Sequence, residues 1–257
     1  MQDSSPVPTL EALNLKDVSD FKNIYLPKLP STPSVRYSRG SQRRAGQLQQ
    51  FLRLLETGLV GRFGAWQSPE LVLLSKSDWR QVYSASYGLP RLRGRKGAWQ
   101  VYAPAEYPQK FVQRFEPLLL MGAPPAGQPG ELREFFDLLI AQTHLTGALR
   151  SAEFNVAGWL EPVLSAYALY GSLRERGLDA LAERFEAWAG LEVRGGEAVS
   201  LAKLRSRRLD FSQARWAHGV SALYAVQTFE REAWGLAERL SAGEGLEPAF
   251  VAYLDLN

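Results

Sequence analysis

The run Phe135-Phe136-Asp137-Leu138-Leu139-Ile140-Ala141-Gln142-Thr143-His144-Leu145-Thr146-Gly147-Ala148-Leu149, followed by Gly158-Trp159-Leu160-Glu161-Pro162-Val163-Leu164-Ser165-Ala166-Tyr167, decides how the rest of the chain is read. Wound as a helix, the first segment carries apolar side chains on nearly all sides, the pattern of a central helix and not of a surface one. The second segment reads as another buried helix, over residues 158–173. Further helical periodicity predicts helices over residues 178–188 and 212–240, with a terminal helical fragment over residues 250–254.

Upstream the pattern is mixed. Residues 1–33 contain Pro6, Pro8, Pro27, Pro30 and Pro33, which suits an extended arm better than a packed element. A short strand through Ser34-Val35-Arg36-Tyr37 leads to Ser41, placed to cap a helix whose Leu48, Phe51, Leu52, Leu55 and Leu59 recur at helical spacing over residues 41–63. Leu71-Val72-Leu73-Leu74 is a short apolar run of the buried-strand kind. Ser77 is placed to cap a brief helix, residues 91–97 read as a basic hairpin tip, and Trp99-Gln100-Val101-Tyr102-Ala103-Pro104 returns as a strand. A short helix is expected over residues 111–121. The domain reading is an arm (1–33), an α+β lobe (34–121), a Pro/Gly connector (122–130) and a helical lobe (131–257). The fold class is therefore α+β, a small mixed sheet with helices followed by a mostly helical half.

Composition limits the chemistry. The chain has 257 residues, 46% of them hydrophobic, enough for a large core. It has no cysteine, which excludes disulfides, thiolate metal sites and a cysteine nucleophile, and only two histidines, so no three-histidine metal site can form. Neither a membrane-spanning apolar run nor a signal peptide is read, and the expected location is cytoplasmic. Low cysteine and methionine with abundant arginine is a thermophile-like composition. Lys+Arg 30 against Asp+Glu 27 gives a net charge of +3, far from the imbalance of a dedicated nucleic-acid binder. Positive charge clusters locally, at Arg36, Arg39, Arg43 and Arg44, at Arg91, Arg93, Arg95 and Lys96, and at Arg205, Arg207 and Arg208. There is no phosphate-loop motif and no nucleophile-elbow serine.

The α+β lead-in, the Pro-rich connector and the two quoted helices together resemble the peptidase-MA-like, gluzincin-type zinc metallopeptidases found among small bacterial proteins. In that family the first helix carries H-E-x-x-H, two histidine ligands one helical turn apart with a glutamate as general base, and the next helix supplies a glutamate ligand. The resemblance covers most of residues 34–257, including Ser200-Leu201-Ala202 and Arg215-Trp216-Ala217-His218-Gly219, and it implies a zincin-like, two-lobed architecture with a cleft. It places Gln142 at the first ligand, Thr143 at the general base, Thr146 at the second ligand and Pro162 at the third, so the frame is present and its chemistry is not.

The expectation that follows is a pseudopeptidase with no catalytic residue and no bound zinc, binding or scaffolding a peptide or protein partner. Its cleft would be lined by Gln142, Thr143, Thr146, His144, Glu161, Tyr167, Arg215 and His218. One alternative is an active metal-dependent hydrolase with relocated ligands His144, Glu161 and His218, helped by Glu153 or Asp137. Against it, His144 lies about 200° round the helix from Gln142. The other is an interaction protein whose basic surface, Arg91, Arg93, Arg95 and Lys96, meets an acidic partner or nucleic acid.

Overall fold

The computed structural model describes residues 25–82, 87–95, 98–107, 131–152 and 156–256. Within these the chain forms β1 (Lys28–Leu29), β2 (Val35–Tyr37), α1 (Gln42–Leu59), β3 (Glu70–Leu74), α2 (Lys76–Val82), β4 (Arg91–Arg95) and β5 (Ala98–Pro104). Helices α3 (Glu131–Ser151), α4 (Glu161–Glu175), α5 (Asp179–Gly195), α6 (Leu201–Ser206), α7 (Phe211–Glu232), α8 (Gly235–Ser241) and α9 (Glu247–Leu256) follow, with a 3-10 turn, Gly158–Leu160, leading into α4. The α+β class is as read from the sequence. The helix expected over residues 111–121 and the connector over 122–130 lie outside the described residues.

The strands form one mixed sheet in the order β1-β2-β3-β5-β4. The central pairs β2–β3 and β3–β5 are parallel, while β1–β2 and β4–β5 are antiparallel. The run Leu71-Val72-Leu73-Leu74 is apolar throughout because both faces of β3 are covered. Leu71 and Leu73 join Val35, Val101 and Ala103 in the main core, and Val72 and Leu74 join Tyr102, Trp79 and Leu26 in a smaller core behind the sheet. The main core continues without a break through α1, α3, α4, α5 and α7 as far as Phe250, so the sheet and the helical half share one apolar interior.

Helix α3 runs through the middle, as its sequence predicts, with residues buried on several sides from Phe135 to Leu149. It approaches the sheet closely at Gly147, where a Cβ would come within 2.7 Å of Leu92 on β4 and 2.8 Å of Pro69. Alanine has no room there. Helix α4 is buried continuously from Val163 to Leu173.

Several elements differ from their sequence reading. Residues 25–33, read as an extended arm and not as a packed element, do pack: Leu26 is buried and Lys28–Leu29 adds an edge strand to β2. Ser41 precedes α1 but makes no side-chain capping bond. At α2 it is Ser75, not Ser77, whose hydroxyl accepts from the Asp78 amide (3.2 Å). Helix α5 extends beyond the predicted residues 178–188 to Gly195, and α6, capped by Ser200, has no counterpart in the sequence reading. The single helix expected over 212–240 is two, broken at Ala233, which adopts φ 48. Alanine is the best helix former, so the break comes from packing: Trp234 turns inward against Phe63, Tyr167 and Phe229, and the Tyr167 hydroxyl donates to the Ala233 carbonyl. No helix among the described residues is long and apolar enough to cross a membrane.

Candidate functional site

Gln142 and Thr146 stand one turn apart on α3, on the side that meets α4 and α7. Gln142 is buried, and its side-chain oxygen accepts a hydrogen bond from His218 Nε2 on α7 at 2.8 Å. The His218 ring lies against Trp188 of α5, with centroids 4.7 Å apart, and its Nδ1 is buried without a partner among the described residues. Thr143 and Thr146 turn their hydroxyls back on their own helix, to the carbonyls of Leu139 (2.8 Å) and Gln142 (2.9 Å). Pro162 occupies the first turn of α4, where its missing N–H costs nothing.

Thr146 also faces a small cavity of about 180 Å³ shared with Leu149, Arg150, Val156, Glu161 and Leu164. Glu161 is held by a two-pronged pair with Arg150, at 2.8 and 2.5 Å, and Arg207 lies 3.8 Å away. Arg150 in turn stacks on the Trp99 ring of β5, 5.0 Å from its centroid. Thr146 and the start of α4 thus line one cavity, with the Arg150–Glu161 ion pair in its wall.

The remaining candidates are dispersed. His144 points the other way, as its angular position predicts: fully buried, it bonds through Nε2 to Glu56 Oε1 of α1 at 2.7 Å, and Glu56 also accepts from Ser68. Tyr167 is buried on the Ala233 carbonyl, and burial raises its hydroxyl pKa far above the ordinary value. Arg215 joins Glu192 of α5 at 3.0 Å and donates to the Gly195 carbonyl at 3.1 Å. Asp137 is bonded by both terminal nitrogens of Arg44. The relocated set His144, Glu161 and His218 is therefore divided among three separate partners, Glu56, Arg150 and Gln142. Glu153 lies outside the described residues, and among those described no three His, Asp or Glu side chains gather as a metal would need. Arg91 and Arg93 sit on β4, partly exposed, opposite Tyr102 and Gln100. The Arg95 side chain and Lys96 lie outside what is described.

Burial lowers the pKa of His218 from 6.5 to about 4. Between these values the unfolded chain takes up a proton that the folded chain refuses, so stability is intact above pH 6.5 and falls as the pH drops towards 4. The loss attributable to His218 is about 3 kcal/mol. Urea unfolding of wild type and His218→Gln across this range reads it as a difference in slope. Parallel curves would place His218 in water.

Compared with models of known families, with curated proteins and with solved structures, the chain matches none.

Proposed function

We propose that this chain keeps the frame of a gluzincin-type zinc peptidase without its chemistry and serves as a binding or scaffolding protein for a peptide or a partner segment. In this reading its architecture is zincin-like and two-lobed, and the cleft holds a chain without cutting it. The observation that carries it is where the side chains at the four chemical positions are spent. Gln142 is engaged by His218, Thr143 and Thr146 bond to their own helix, and Pro162 has no donor atom to offer. None is poised to hold a cation or to activate water. What is left is a pocket of side-chain size beside Thr146, with the Arg150–Glu161 pair in its wall able to orient a peptide backbone.

Two measurements test this. Wild-type protein purified without chelator is expected to carry far less than one zinc per chain. The quadruple variant Gln142→His, Thr143→Glu, Thr146→His, Pro162→Glu restores three ligands and a base, and it is expected to take up one zinc. Stoichiometric zinc on the wild type, or a folded quadruple variant that binds none, would overturn the reading. Binding is assayed by panning a displayed peptide library on wild type and on Thr146→Trp, which fills the cavity. Peptides enriched on the wild type alone are expected, and a library that does not distinguish the two removes the binding role.

A further inference from the structure

A larger cavity, of about 610 Å³, opens away from the positions just described, with none of Gln142, Thr146, Glu161 or Leu164 in its wall. Its lining is charged: Arg43 and Arg44 from the first turn of α1, Arg133 from the start of α3, Glu106 after β5, with Ser41 beside them and the half-buried Tyr107, backed by the buried Phe136, as an aromatic wall. The two rings are stacked, centroids 3.8 Å apart. The size is that of a small-molecule site.

The charges are not equivalent. Arg44 is occupied by Asp137 through both terminal nitrogens, which leaves it a fixed wall. Arg133 is steadied by a hydrogen bond to the neutral Gln47 side chain at 2.7 Å and has no ion-pair partner among the described residues. Arg43 is exposed and has no hydrogen-bond or ion-pair partner among the described residues. Among the described residues, two cations thus face one carboxylate, Glu106. The backbone adds to the imbalance. The first helical bond of α1 runs from Ala45 to the Ser41 carbonyl, no acidic residue lies in the first turn, and the Ser41 hydroxyl does not cap it. The amides of Gln42, Arg43 and Arg44 therefore have no acceptor within the helix.

We propose that this cavity binds a phosphate monoester, the phosphate between Arg43 and Arg133 and the remainder of the ligand against Tyr107. A tetrahedral dianion has acceptors enough for two guanidinium groups, a hydroxyl and the open amides, whereas a carboxylate would leave several donors unused. A guanidinium pairs with phosphate through two parallel bonds, which a lysine does not. Glu106 is the counterweight that keeps the site from holding any passing anion.

The test is titration calorimetry on the full chain with three probes: inorganic phosphate, phenyl phosphate and a short phosphoserine peptide. Saturable binding of inorganic phosphate is expected, and Arg43→Ala and Arg133→Ala should each weaken it roughly tenfold or more. Both residues are exposed, so the variants should keep the wild-type melting profile. Glu106→Gln should move the other way, tightening binding a few-fold. Arg208→Ala, an exposed arginine elsewhere, should change nothing. Tighter phenyl phosphate points to a small phosphorylated metabolite, and a tighter peptide to a phosphorylated protein side chain. No binding by the wild type, or equal weakening by Arg208→Ala and Arg43→Ala, overturns the proposal. Neither outcome bears on the zinc measurements, so this site and the pseudopeptidase reading fail separately.

Discussion

Gly219→Val is expected to cost about 4 kcal/mol of stability or to prevent folding altogether. Gly219 sits on α7 where that helix crosses α5. A Cβ there would lie 2.7 Å from the Ala189 carbonyl oxygen, 2.8 Å from the Val193 amide nitrogen and 2.8 Å from Glu192 Cβ. Two of these neighbours are backbone, which cannot rotate away, so the helices must separate, and with them the contact between His218 and Trp188 one residue along. Alanine at the same place should cost less, about 2 kcal/mol, because one methyl asks for a smaller shift. The comparison that isolates the cause is Gly46→Ala on α1, where a Cβ would meet nothing within 4 Å. There the same change should stabilise by about 1 kcal/mol, since alanine is the better helix former and orders the unfolded chain. Opposite signs in urea denaturation, at unchanged slope, are the expected result. A neutral Gly219→Val would show that α5 and α7 do not meet as described.

Gly219 also marks the limit of what could be read from the amino-acid order. A glycine within a helical pattern looks like a weak point, and only the third dimension shows that it is a contact. The elements that were legible are those whose signal is local. Leu48, Leu52, Leu55 and Leu59 give α1 its buried stripe, the all-round apolar character of residues 135–149 gives α3 its central place, and the apolar run at residues 71–74 gives a strand covered on both faces. Glu56, one turn after Leu52, breaks that stripe, a visible sign of a buried carboxylate, but its partner His144 is 88 residues away and leaves no local trace. The pairs Gln142–His218 and Arg44–Asp137, separated by 76 and 93 residues, are hidden for the same reason. The resemblance to a peptidase frame singled out Gln142 without indicating what it touches. Ala233 runs against local preference: its helix propensity argues for continuity, and the inward Trp234 overrides it.

The seam between α5 and α7 carries a second large effect, at Arg215, for which the sequence points to a cleft-lining role. The Arg215 side chain is 10% exposed and that of its partner Glu192 7%, an ion pair set into the helix interface. Burial is the dominant influence on Glu192 and raises its carboxyl pKa above the ordinary value even with Arg215 beside it. A raised carboxyl pKa means that the folded chain holds the proton more tightly than the unfolded one. This group's contribution is therefore present at low pH and lost as the pH rises through the raised value. At neutral pH the ionised pair barely recovers the cost of leaving water, yet removing one member is worse, because the other charge then stays buried alone. Arg215→Met is thus expected to cost about 3–5 kcal/mol. Arg215→Met combined with Glu192→Leu should return to within about 1 kcal/mol of wild type, since both desolvation costs disappear together and the Gly195 carbonyl, on an exposed residue, turns to solvent. A double-mutant cycle in urea reads the coupling directly. Additive losses would mean that Arg215 and Glu192 act separately, which would reopen Arg215 to the role in binding that the sequence suggested.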